Sequence, residues 1–387
     1  MKDLLSQIDE WGPEKVVCVS DRRTGMRGVL VLDNTARGMG KGGTRMSPTL
    51  TVAEVARLAR TMTWKWAAVD LFHGGAKAGV LFDPTSPNKE AALRAFGRAL
   101  SNEVPSEYVF GLDIGLTEGD AAILLDELGR GAAVGLPRAL GGMPYDELGV
   151  TGFGVAEAVD AACLAQGLPL AAARVAVQGY GAVGWAACRR LTELGATIVA
   201  VSNAEGAIYE AAGIDIDRLA RLRAEHGDGC LREYGGTLLD ADTILFADAD
   251  ILLPCAREDL VDEHVARATT VRLVVEGANL PTSPKAKEIL HARGIPLVPD
   301  FIANAGGIVA AAHSMDARLS PFAVNPDDIF HMVTEKLRAN TVEVLGASQR
   351  LSVTPHVAAQ QMAETRVAEA MRLRGQVTTD RVHVDVA

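Results

Sequence analysis

The run Gly179-Tyr180-Gly181-Ala182-Val183-Gly184 constrains this chain more than any other stretch, because glycines at that spacing suit a strand that turns tightly into a helix. Before it, Val175-Ala176-Val177-Gln178 reads as a buried strand; after it, helical spacing runs through Arg190 and Leu194. The first glycine permits the turn, the second lets backbone approach a pyrophosphate, and the third lets the helix sit close to the sheet. The first amides of the helix then offer donors and a partial positive charge. Gly179, Gly181, Ala182, Val183 and Gly184 are therefore candidate contacts for a dinucleotide, NAD or NADP. Asn203 stands about 20 residues on, where such a unit reads the ribose. Its amide can bond a hydroxyl without repelling a 2′-phosphate, and the choice between the two cofactors stays open.

The rest of the chain is punctuated consistently with that unit. Arg174–Gln178, Thr197–Ser202, Asp250–Leu253, Val271–Val275 and Ile295–Val298 read as buried strands alternating with helical patterns, which implies a parallel, doubly wound sheet. Upstream, Val16–Ser20, Gly28–Leu32 and Gly79–Phe82 are β-rich. Between them Thr51-Val52-Ala53-Glu54 reads as a capping box opening a helix, whose stripe is Val55, Leu58, Ala59, Met62, Trp66 and Val69. Lys65 flanks that stripe and is expected to be partly desolvated, while Trp64 faces away from it, as an interface anchor would. Residues 131–150 are rich in breakers, as a hinge would be. From Pro326 the chain reads as helical, with Glu335, Lys336, Arg338 and Glu343 as a solvated face and a polar tail. The expected architecture is α/β with two domains: an α/β substrate and oligomerisation domain (1–145 plus about 331–387), and a Rossmann-type dinucleotide-binding domain (146–330), with a cleft between them.

Composition narrows the function classes. A net charge of −11 argues against a nucleic-acid partner. No apolar run reaches the roughly 18–20 residues of a bilayer span, and the acidic N-terminus has no apolar signal region. Five scattered cysteines suggest reduced thiols and a cytoplasmic location. No C-x-x-C, H-x-x-x-H or G-x-S-x-G spacing supports a metal site or a serine nucleophile.

The remaining chemistry lies upstream of the glycine motif. Lys41-Gly42-Gly43-Thr44-Arg45, Lys65 and Gly74-Gly75-Ala76-Lys77-Ala78-Gly79 bring cations and flexible glycines into one domain. Lysines near one another depress each other's pKa values and burial adds to this, so a lysine here can serve as a base near neutral pH.

In family order, Lys41-Gly-Gly-Thr-Arg45, Met62-Thr-Trp-Lys-Trp-Ala-Ala-Val-Asp70, Gly74-Gly-Ala-Lys-Ala-Gly-Val80, Gly111-Leu-Asp-Ile-Gly115, Thr151-Gly-Phe-Gly154, the Gly179 motif, Glu276-Gly-Ala-Asn279 and Asn304-Ala-Gly-Gly307 resemble the glutamate/leucine/phenylalanine/valine dehydrogenase family. The resemblance implies reversible oxidative deamination of an L-amino acid to a 2-oxo acid and ammonia, by a homo-oligomer of six or eight subunits. By similarity Lys65 binds the α-carboxylate, Lys77 activates water and polarises the carbonyl, and Asp113 shuttles protons. Asn279 and Asn304 then line the substrate and nicotinamide region, and Thr151 contacts the nicotinamide amide. Lys41, with Gly42, stands where glutamate-type members bind a side-chain carboxylate. Ala311 stands where they offer a serine hydroxyl to it.

Substrate features are mixed. Lys41 favours glutamate or another acidic or polar amino acid, because a buried cation facing an apolar substrate is an unpaired charge. The short opening stretch from Val16 resembles the leucine/phenylalanine branch. Ala311, Phe72, His73, Phe110 and Leu112 depart from the glutamate pattern, as expected of a reshaped pocket, with His73 a candidate ligand. Leucine, phenylalanine or valine is the alternative substrate class. A catalytically silent dinucleotide sensor is the alternative of another kind, and such a module has no need of Lys65, Lys77 and Asp113.

Overall fold

The computed structural model describes residues 8–129, 131–143 and 148–377. The expected 145/146 boundary, the first seven residues and the end of the polar tail lie outside them. The chain divides into two compact units, residues 1–144, 311–326 and 362–387 in the first and 145–310 and 327–361 in the second. This differs from the expected division: residues 311–326 pack with the first unit, and 331–361 with the second. Helical periodicity shows that such segments are helices but does not show which core buries their apolar face.

The first unit is built on a mixed sheet. Strands β1 (Lys15–Asp21), β2 (Met26–Asn34), β3 (Gly40–Lys41), β4 (Thr44–Ser47), β5 (Gly74–Leu81) and β6 (Tyr108–Val109) run in the order β1-β2-β5-β3-β6, with β4 also on β5. β1, β2 and β5 pair antiparallel, while β3 and β4 run parallel to β5. Alternation sorts the side chains by face. Leu30, Leu32, Ala76, Ala78 and Val80 enter a core with Leu93 and Phe96 of α2 (Lys89–Ala99) and Leu124 of α3 (Glu118–Leu128). Val29 and Val31 instead meet Val55, Ala56 and Ala59 of α1 (Val52–Ala68). Lys77, between Ala76 and Ala78, therefore lies on the α1 side of the sheet. Gly75 and Gly79 flank it on that side, where a Cβ would fall 1.9 Å from Thr63 Oγ1 and 2.4 Å from Leu50 respectively. Glycine is what lets α1 lie that close.

The second unit holds α4 (Val150–Gln166), β7 (Arg174–Gln178), α5 (Ala182–Glu193), β8 (Thr197–Asn203), β9 (Gly206–Tyr209), α6 (Ile216–His226), α7 (Cys230–Tyr234), β10 (Ile251–Pro254), α8 (Glu263–Ala268), β11 (Leu273–Val275), α9 (Pro284–Ala292), β12 (Leu297–Val298) and α10 (Asp300–Ala303). Its sheet order is β12-β11-β10-β7-β8-β9, parallel except for the edge hairpin partner β9. All five expected strands are present and buried. The order reverses at β7, so the turn after β7 opens at the switch point where doubly wound sheets bind ligands. The short strands β3, β4 and β6 and the strand β9 were not anticipated, since runs of two to four residues carry little periodicity. Three helices follow, α11 (Gly306–Ala317), α12 (Pro326–Leu351) and α13 (Pro355–Leu373).

Several local expectations are corrected. Thr51 does cap α1, accepting from the Glu54 amide at 3.2 Å, but the Glu54 carboxylate is drawn to Arg45 at 2.8 Å. Trp64 is half-buried and packs edge-on to Trp11 of its own chain at 5.1 Å. Arg338 is no solvated charge: it pairs with Glu157 at 3.2 Å and contacts Asp160. Glu157, 1% exposed, also takes Arg190 at 2.8 Å, and this tethers α4 to α5 and α12. Among the described residues, no helix is long and apolar enough to cross a membrane, no group of His, Cys, Asp and Glu could hold a metal ion, and the five cysteines are free.

Candidate active site

In the first unit the structure brings Lys77 and Asp113 together. Lys77 Nζ lies 2.6 Å from Asp113 Oδ2, with side chains 8% and 19% exposed. β5 delivers the lysine from the middle of the sheet, and the loop after β6 delivers the aspartate. Gly43 makes the meeting possible, because a Cβ there would sit 2.9 Å from Asp113 Cβ and 3.2 Å from Lys77 Nζ. Arg45 Nε joins the same carboxylate oxygen at 3.1 Å. Burial pushes the Lys77 ammonium below its ordinary value, with Asp113 opposing the shift and Arg45 assisting it. Burial pushes Asp113 up, but Lys77 and Arg45 outweigh it and hold the carboxyl below the usual carboxylate range. The aspartate is therefore anionic beside a lysine whose proton is easily moved.

Lys41 is close by in this unit and 3% exposed. Its ammonium donates to the carbonyls of Gly42 and Val109, each at 3.3 Å, while Trp66 Nε1 holds the Lys41 carbonyl at 2.9 Å. Burial drives it down to about 7, with help from Lys77 and Arg318. Lys77 thus depresses Lys41 as expected, though burial is the larger cause, while at Lys77 the cation that lowers the value is Arg45. The same value weakens the argument that Lys41 demands an anionic substrate, since the amine can shed its proton at modest cost. Gly42 is obligatory, because a Cβ there would fall 1.7 Å from the Ala76 carbonyl. Lys65 is half-buried on α1, as its place beside the apolar stripe implied.

The departures from pattern separate on inspection. Phe72 is 71% exposed beneath the Arg37 guanidinium, 4.7 Å away, and Phe110 is buried among Phe96 and Tyr108. Leu112 packs against that same core. Phe110 and Leu112 thus pack in the core of the first sheet, and Phe72 lies on the surface of the unit. His73 is half-buried against Trp66, with ring centroids 5.0 Å apart. Ala311 is half-buried on α11.

In the second unit the turn after β7 fits a dinucleotide. Gly179 has φ +102°, and a Cβ there would meet the Ala256 backbone at 2.7 Å; at Gly184 it would fall 1.9 Å from the Gly179 carbonyl. At Gly181 a Cβ would meet nothing within 4 Å, leaving open space at the start of the 12-residue helix α5. No side chain caps that helix, so its first amides are left open to the kind of oxyanion that helix N-termini hold. Asn203 ends β8, but its amide donates to the Asp228 carbonyl at 2.6 Å and its oxygen accepts from the Glu205 amide at 2.9 Å. In this structure it braces the loop. The sequence reading missed Glu205 beside it, paired with Arg232 at 2.7 Å, because the two are 27 residues apart.

Asn304 and Asn279 also meet in this unit, Asn304 Nδ2 donating to Asn279 Oδ1 at 3.0 Å. Thr151 lies on the first turn of α4 next to Gly307, whose added Cβ would be 3.1 Å from Thr151 Oγ1. A second brace supports them. The Asp300 amide donates to Glu276 Oε2 at 2.9 Å, and Asp300 Oδ2 accepts from the Leu280 amide at 2.8 Å. Asn279 and Asn304 are thereby pinned by one carboxyl pair.

Known proteins resemble this chain over most of its length. Glutamate dehydrogenase of Thermotoga maritima is 34% identical over 365 residues, covering 90% of this chain and 86% of its own. NAD-specific glutamate dehydrogenase A of Halobacterium salinarum is 34% identical over 353 residues, 88% of this chain and 80% of its own. The crystal structure of the hetero-hexameric glutamate dehydrogenase of Thermus thermophilus, in its leucine-bound form, superposes with a TM-score of 0.79 at 29% identity, covering 95% and 91% of the two chains. The profile of the Glu/Leu/Phe/Val dehydrogenase dimerisation domain matches residues 13–130, and that of the dehydrogenase proper matches residues 141–375. A lysine–aspartate pair in the first unit, a Rossmann-type turn in the second and two family profiles spanning most of the sequence lead to one conclusion: the chain belongs to the glutamate/leucine/phenylalanine/valine dehydrogenase family.

Proposed function

We propose that this protein is an NAD(P)-dependent L-amino acid dehydrogenase acting first on L-glutamate. The amino acid, oxidised cofactor and water become the 2-oxo acid, ammonium, reduced cofactor and a proton. The 2.6 Å contact between Lys77 and Asp113 carries the reading. Deamination needs a cation where oxygen develops charge and a carboxylate where nitrogen gains and loses protons, and this pair supplies both from one buried place. The cofactor, when bound, accepts a hydride from the substrate Cα. Lys77 deprotonates the attacking water and stabilises the developing oxygen, while Asp113, kept anionic by Lys77 and Arg45, takes protons from and returns them to the amine. Lys65 is assigned the α-carboxylate, Lys41 with Gly42 the side-chain carboxylate, and Ala311 the wall beside it. Asn279, Asn304 and Thr151 orient substrate and nicotinamide. Gly179, Gly181, Ala182, Val183 and Gly184 hold the pyrophosphate, and Asn203 with Glu205 meets the ribose. The Glu205 carboxylate disfavours a 2′-phosphate while its partner Arg232 favours one, and the likeness to an NAD-specific relative is what supports NAD as the preferred cofactor.

An apolar amino acid is the second reading, supported by the ease with which Lys41 sheds its charge at about pH 7. We further propose a cytoplasmic homo-oligomer, given the free cysteines and the match to a dimerisation domain. Absorbance at 340 nm, with glutamate, leucine and phenylalanine each offered with NAD⁺ and NADP⁺, tests the function. Glutamate with NAD⁺ is expected to react fastest, and Lys77→Ala to lower kcat by at least about 100-fold. Turnover of leucine alone would give the second reading, and no turnover of any amino acid would end both.

A further inference from the structure

Beside Lys41 the first unit gathers a second cation, Arg318, and an imidazole, His73. Arg318 follows α11 and shares a helical face with Ala311 and Met315, at spacings of four and three residues. Met315 is 1% exposed and packs with Val109, whose carbonyl receives the Lys41 ammonium. The face that presents the Ala311 methyl therefore also brings Arg318 toward Lys41. His73, just before β5, packs tilted against Trp66, whose indole holds the Lys41 carbonyl. Lys41 and Arg318 both push the His73 imidazolium down, after burial, and the exposed carboxylate of Asp316 opposes them.

Two nitrogens in this cluster are left over. Arg318 Nε and His73 Nδ1 are buried and have no hydrogen-bond partner among the described residues. A buried polar group without a partner costs about 1–3 kcal/mol, so such groups are normally satisfied or reserved for a ligand. Arg318 Nη1 is already committed to the Met315 carbonyl. The Nε–Nη2 edge is the one that grips a carboxylate through two parallel hydrogen bonds.

We infer that Arg318 and Lys41, with the neutral His73 ring as a hydrogen-bond donor, form a cradle for the distal carboxylate of the substrate, with the guanidinium supplying what the methyl of Ala311 cannot. This rests on the proposed function and sharpens it: the preferred substrates are amino acids and 2-oxo acids with an anionic side chain. Arg318 is the fixed charge of the cradle. It holds the carboxylate even when Lys41 is neutral.

Two measurements on the full-length protein separate the cradle from the reaction. The first is the ratio of kcat/KM for L-glutamate to that for L-glutamine, its neutral isostere, a ratio that does not depend on how much protein is folded. Arg318→Met is expected to lower it roughly 10–100-fold, mainly through the KM for glutamate, with Arg318→Lys recovering part and His73→Gln losing less. The second is calorimetric titration with glutarate, which cannot react; wild type is expected to bind it and Arg318→Met to bind it 10–100-fold more weakly. An unchanged ratio in both Arg318→Met and His73→Gln overturns the cradle while leaving the deamination reading intact. Glutarate binding that depends on Arg318, in a protein that turns over no amino acid, upholds the cradle and overturns the deamination reading. Wild-type protein that binds no glutarate overturns the cradle whatever it turns over.

Discussion

At the residue scale, the site concentrates cost where it concentrates chemistry. Lys41 is almost fully buried and held at about 7, while the same amine in an unfolded chain titrates near 10.5. Between those values the unfolded chain binds more protons, so the wild-type protein gains stability as pH rises from about 7 toward 10.5. Lys41→Met removes the penalty. It is expected to be more stable than wild type by about 1–4 kcal/mol at pH 7 and below, with the difference fading toward pH 10, as urea unfolding across that range would show. The same variant is expected to lose its preference for glutamate, a stability gain taken at the expense of function. Equal or lower stability at pH 7 would mean that the two carbonyls already compensate the charge.

At the element scale, the loops that carry Asn279 and Asn304 are fixed by a buried carboxyl pair. Glu276 is 0% exposed; burial pushes it up to about 7, with Asp300 assisting and Lys287 opposing. Because its folded value lies above the ordinary 4.5 of an exposed glutamate, it contributes stability that is fully present below pH 4.5 and lost as pH rises through about 7. Glu276→Gln keeps an oxygen for the Asp300 amide and replaces a carboxyl that ionises by an amide that stays neutral. Its melting temperature is expected to exceed that of wild type above pH 7, by the equivalent of about 1–3 kcal/mol, and to match it near pH 4.5. A constant offset across pH 4.5–8 would show that Glu276 is already ionised in the folded protein.

At the scale of the whole molecule, the two units carry different tasks: one presents cations on the α1 face of a mixed sheet, the other a glycine turn at the switch point of a parallel sheet. The first sheet has β1 as an edge, whose exposed side includes Cys18 and Ser20. Light scattering on the purified protein is expected to give a multiple of the 40.8 kDa chain, about 245 kDa for six copies. A 40.8 kDa particle at micromolar concentration would remove the homo-oligomer from the proposal.

Much of this was legible in the sequence, because the informative patterns are local. The glycine spacing at 179–184, the β-branched runs around it and the Thr51 cap are set by backbone sterics and by hydrogen bonds a few residues long, which hold wherever the segment lies. The motif residues Lys41, Lys77 and Asp113 could likewise be named from the sequence. What it could not provide was proximity. The 2.6 Å contact of Lys77 with Asp113 spans 36 positions, Arg45 reaches Asp113 across 68, and Glu54 leaves its own helix cap for Arg45. Asn203 was legible as a strand end but not as a brace, since Asp228 comes from another loop. Phe72 and Phe110 looked alike as departures from pattern, yet one lies on the surface and the other in the core. The sequence by itself determined which elements form and which chemical groups are available; the tertiary structure decided which of those groups share a carboxylate, lose their water and change their charge, because desolvation and Coulomb energy depend on distance through space and not along the chain.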